Sequence, residues 1–86
     1  MPQIKLHLIN QTKFNLIFDY KSRVYYVSSE SDKTIEVESG SLIYVHPEGK
    51  PDDYRQINST MEKDAEISCR FELGKLYVTL SQFNQF

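Results

Sequence analysis

Tryptophan is absent from this chain, cysteine occurs once, and glycine and proline occur three times each. A single cysteine allows no internal disulfide, which excludes the small secreted scaffold held by bridges. So few glycines and prolines exclude a low-complexity or repeat-spacer chain. Without tryptophan and a second cysteine, the Cys…Trp…Cys signature of immunoglobulin domains cannot be met. No apolar run approaches the roughly 20 residues a membrane-spanning helix needs. Met1-Pro2-Gln3-Ile4-Lys5 has neither the basic nor the apolar region of a secretory signal. The expectation is a cytoplasmic protein with no membrane segment.

Net charge is also small. The net value is −2, with both signs interspersed, so the chain reads as a small acidic protein. Nucleic-acid coating needs a basic stripe, and none is present. Tyr20-Lys21-Ser22-Arg23-Val24-Tyr25-Tyr26 does interleave bases and aromatics as a stacking platform would, which makes an OB-like single-strand binder a minor alternative. Asp19, Glu30 and Asp32 offset its charge, and nucleic acid is not the expected partner.

Catalytic signatures are missing as well. There is no Gly-x-Ser-x-Gly elbow, no glycine-rich phosphate loop and no calcium loop. His7 and His46 lie on different predicted strands and form no closely spaced ligand pair, so no metal site is expected. Glu36 and Glu38 share a strand face, and Asp52-Asp53 crown a loop; both pairs read as solvated charges rather than an acid–base couple. Cys69 falls in register with Ile67 and Phe71, which predicts a buried, inert thiol. Asn10-Gln11-Thr12 and Asn58-Ser59-Thr60 fit the glycosylation sequon but read as turn chemistry. The chain is expected to be neither an enzyme nor a cofactor protein.

What is abundant is two-residue alternation. Ile4, Leu6 and Leu8 alternate with polar residues; so do Phe14, Leu16, Phe18 and Tyr20, then Ile35 and Val37, then Ile67, Cys69 and Phe71, then Leu76, Val78 and Leu80. Successive strand side chains point to opposite faces, so this pattern describes half-buried antiparallel strands. Expected strands run over about 3–9, 13–20, 23–28, 34–38, 41–46, 54–60, 65–73 and 75–83. Strand 23–28 reads as buried on both faces, and 42–45 as a central strand. Ser39-Gly40 is expected to join 34–38 to 41–46 as a hairpin, and Gly74-Lys75 to close the last hairpin as a type II′ turn. No long stretch shows a 3.6-residue period.

These elements predict one domain over residues 1–86: an all-β, compact antiparallel β-sandwich or small barrel of seven to eight short strands. Six tyrosines and five phenylalanines exceed what so small a core can hide. Tyr25, Tyr44, Tyr54 and Tyr77 are the rings expected at the surface, with Arg23 and Arg55 as charged anchors and Phe86 as an apolar one. Tyrosine and arginine are enriched at interface hot spots. The functional expectation is a protein-binding module, of the kind found among small inhibitors, immunity proteins and assembly factors. It would act by occlusion or strand addition at a sheet edge, with homodimers as a further outcome. A carbohydrate-binding sandwich is the alternative.

Overall fold

A computed structural model describes residues 3–58 and 64–82. Its strands are β1 (Gln3–Asn10), β2 (Leu16–Tyr20), β3 (Arg23–Val27), β4 (Asp32–Glu38), β5 (Leu42–Pro47), β6 (Arg55–Asn58), β7 (Ala65–Glu72) and β8 (Lys75–Gln82). They form two four-stranded sheets, β4-β1-β7-β8 and β3-β2-β5-β6, stacked as a sandwich rather than closed into a barrel.

The alternation read from the sequence places the core. Ile4, Leu6 and Leu8 from β1, Ile35 and Val37 from β4, and Ala65, Ile67 and Cys69 from β7 face inward from the first sheet. Leu16, Phe18 and Tyr20 from β2, Ile43 and Val45 from β5, and Val27 and Ile57 from β3 and β6 meet them from the second. Leu42–Val45 is central as expected, since β5 pairs with both β2 and β6.

Several pairings differ from expectation. Strands β4 and β5 are not a hairpin: Ser41 N–H does donate to Glu38 C=O at 3.2 Å around Gly40, but the chain then crosses to the other sheet. The backbone N–H of Glu38 donates instead to the buried Tyr20 hydroxyl at 2.9 Å, a link between layers. Strands β1 and β7 run parallel, the exception in an otherwise antiparallel fold. Residues 13–15 precede β2 rather than belonging to it, so Phe14 lies in a loop, its ring tilted against that of Phe71 with centroids 5.1 Å apart. The last hairpin turns on Leu73-Gly74, with φ of 52° and 75°; positive φ at both central residues makes a type I′ turn, not II′.

The β1–β2 crossing is organised by Asn10, which is buried. Its side-chain amide donates to the carbonyls of Phe14, Val27 and Ser28 at 2.7–3.0 Å. Its Oδ1 accepts from the backbone N–H and hydroxyl of Thr12 at 2.9 and 2.6 Å. The first sequon is therefore turn chemistry, an Asx turn.

Candidate interaction surface

The two sheets present different outer faces. On β4-β1-β7-β8 the outward residues are mostly charged or polar. His7 sits between Asp32 and Glu66, Lys5 lies opposite Glu36, Arg70 pairs with Glu72 at 2.9 Å, and Lys75 lies opposite Glu72. Such a face is at home in water.

The face of β3-β2-β5-β6 is apolar and aromatic. The inward registers of Tyr25, Phe18, Val45 and Ile57 turn Val24 and Tyr26, Ile17 and Asp19, Leu42, Tyr44 and His46, and Gln56 outward. Ile17 lies between Tyr26 and His46, and Asp19 between Val24 and Tyr44. Tyr54, just before β6, meets Tyr44 edge-on with ring centroids 6.0 Å apart. Exposure is 50% for Val24, 56% for Tyr26, 43% for Leu42 and 55% for Tyr54, so large apolar side chains from three segments stand in solvent together. Among the described residues Asp19 is the one carboxylate within this face, 4.0 Å from His46 Nε2; the imidazole Nδ1 is 2.9 Å from the Pro47 carbonyl. A depression of about 350 Å³ at one end is lined by Asp19, Lys21, Ser41, Leu42 and Tyr44.

The residues singled out from sequence fall in different places. Tyr44 and Tyr54 lie together on this face. Tyr25 points the other way, half-buried against the core opposite Phe18. Its hydroxyl accepts from the Arg23 guanidinium and, with a smaller effect from Tyr20, raises the arginine's pKa above its ordinary value. Arg55 is an architectural tie: its Nε donates to the Leu76 carbonyl at 3.2 Å and its Nη1 lies 3.4 Å from Asp53. Tyr77 is exposed on the β4-β1-β7-β8 sheet under Arg70. Phe86 lies outside the described residues.

Sequence reasoning missed Val24, Tyr26, Ile17 and Leu42. Reading strand 23–28 as buried on both faces is corrected here: it is an edge strand, exposed at Val24 and Tyr26. The available signal was Arg23, whose charge at the strand start argues against a central position. Because Tyr25 and Tyr26 lie on opposite faces, they cannot stack bases on one platform.

Other chemistry is confined by the same geometry. His7 Nε2 is 2.5 Å from Asp32 and Nδ1 is 3.7 Å from Glu66, so the carboxylates occupy opposite ring nitrogens and cannot share one ion with the imidazole. Ser31, beside them in a depression of about 370 Å³, directs its hydroxyl to the Ser29 carbonyl. No group of three or more His, Cys, Asp or Glu among the described residues is arranged to hold a metal. Lys21 lies 2.9 Å from Glu38, which raises the lysine pKa and lowers that of the glutamate. Burial pushes the Cys69 thiol up to about 12. Comparison of the chain with protein-family models, curated proteins and solved structures finds no match.

Proposed function

We propose that this protein is a non-catalytic protein-binding module that docks a partner on the outer face of β3-β2-β5-β6, acting by occlusion as a small inhibitor, immunity or assembly factor does. The observation that carries the reading is the asymmetry of the sandwich. One outer face is mostly charged and polar, while the other gathers Tyr26, Tyr44 and Tyr54 with Ile17, Val24 and Leu42 around Asp19. Depletion of charge and enrichment of aromatics mark the centre of a protein interface. The branched aliphatics favour a protein over a sugar, because they supply dry packing but no flat ring to stack on a pyranose.

The test is capture of a stoichiometric partner by the tagged protein, followed by affinity measurement on variants. Tyr26→Asp and Tyr54→Asp are each expected to weaken binding at least tenfold, the scale of a hot-spot loss. Tyr77→Asp, on the β4-β1-β7-β8 sheet, is expected to leave it unchanged. Affinity should vary little with salt, since few charges lie in the face. A partner that binds both face variants as tightly as wild type would overturn the reading.

The depression beside Tyr44 supports the second reading. Asp19, Lys21 and Ser41 offer hydrogen bonds next to a ring, the set a sugar requires. Glycan-array binding lost on Tyr44→Ala would favour carbohydrate.

A further inference from the structure

We infer that the β3 edge pairs antiparallel with β3 of a second copy, about a two-fold axis passing Tyr25, joining two sheets of four strands into one continuous sheet. The argument starts from the backbone. Strands β2 and β3 are joined by the two-residue loop Lys21-Ser22, with Lys21 at φ 55°, so Tyr20 and Arg23 close the ladder as a hydrogen-bonded pair. Bonded and non-bonded pairs alternate from there. Arg23, Tyr25 and Val27 thus bond to β2, while the N–H and C=O groups of Val24 and Tyr26 point away from it, along the open edge. The same rule applied to the Leu73-Gly74 hairpin turns the Leu76 carbonyl outward on β8, which is where Arg55 meets it.

The sandwich has four sheet edges, and they are guarded unequally. Edge β4 carries Asp32, Lys33, Glu36 and Glu38, charges that discourage pairing. Edge β6 is four residues long. Edge β8 is crossed by Arg55 at Leu76. Edge β3 reads Arg23-Val24-Tyr25-Tyr26-Val27, with no proline, glycine, lysine or carboxylate within it. Among the described residues it is the most apolar edge, its one charge being Arg23 at the strand start.

The occupant follows from self-complementarity. Among the symmetric antiparallel registers, one pairs the two outward residues with each other: Val24 bonds with the partner's Tyr26, Tyr26 with the partner's Val24, and Tyr25 faces its own copy in the non-bonded position. On the outer face this register sets an aromatic ring beside a β-branched chain at both pairs, a favourable cross-strand combination. On the inner face Arg23 falls opposite the partner's Val27, so no like charges meet. The result is isologous and closed, and it makes the apolar outer faces of the two copies continuous.

Sedimentation equilibrium over a wide concentration range tests this. Wild type is expected to show a monomer–dimer equilibrium. Val24→Pro removes a donor that points away from β2, so the domain should still fold while the dimer dissociation constant rises at least tenfold. Val78→Pro, at the matching outward position of β8, should leave dimerisation unchanged. Should Val24→Pro unfold by circular dichroism, Val24→Lys places a charge within the edge and should give the same loss. Tyr25→Cys should crosslink as a disulfide dimer under mild oxidation, because the non-bonded pair brings Cα atoms to about 4.5 Å, while Cys69 stays buried. A wild type that remains monomeric throughout, or a dimer that survives in folded Val24→Pro or Val24→Lys, overturns the inference. Tyr54→Asp lies off this edge and should not alter the dimer, so failure of the face-binding reading is read separately.

Discussion

Asn10 does more for this fold than its polarity suggests. One buried amide satisfies carbonyls from the β1–β2 and β3–β4 connections and receives both donors of Thr12. Asn10→Ala would leave these groups without their partner in a partly to fully buried turn, at a cost of about 1–3 kcal/mol, measurable as a lower midpoint of urea unfolding. Cys69 gives a pH signature. Its thiol is held protonated to about 12 by burial, whereas in the unfolded chain it ionises near the ordinary thiol range of about 8.5. A raised folded pKa means that the contribution is complete below the unfolded value and is lost as pH climbs toward 12. The expected loss is about 1.4 kcal/mol per pH unit above roughly 9. Unfolding free energies of wild type and Cys69→Ala, compared from pH 8 to 11, should converge at the alkaline end. The burial of Cys69 was legible from its register with Ile67; the role of Asn10 was not, because its partners lie up to 18 residues away.

At the scale of elements, the β7–β8 hairpin holds a local contradiction. Leu73 is 99% exposed and sits at φ 52°, where a side chain with Cβ costs about 1–2 kcal/mol and Asn or Gly is preferred. Leu73→Asn is expected to stabilise the domain by about 1 kcal/mol, a rise of about 4–8 °C in Tm by calorimetry. The strand itself was readable on both sides of this turn, since Ile67, Cys69 and Leu76 alternate strictly. The turn type was not, because Leu-Gly lacks the composition that normally announces a type I′ turn. The Ser39-Gly40 turn is the complementary case: its composition is that of a hairpin, yet β4 and β5 part into different sheets. A local turn constrains a few dihedrals, while the layer each strand joins depends on which partner buries its apolar face.

For the whole molecule, the difference between the two outer faces carries the function proposed above, and the apolar β3 edge carries the dimer inferred from it. Neither property belongs to one segment. Tyr44 and Tyr54 were singled out from the sequence and do meet; Tyr26 joins them only because β2 lies between β3 and β5. Tyr25, adjacent to Tyr26 in the chain, is carried to the opposite side. The sequence by itself determined that this chain is built of short strands, where most of them begin and end, and which residues face a core, because side-chain alternation is a property of each strand alone. The tertiary structure decided which strands are neighbours, that β1 and β7 run parallel, and which tyrosines share a surface. Those outcomes depend on pairings between distant segments, and a two-residue period repeats identically whichever partner a strand takes.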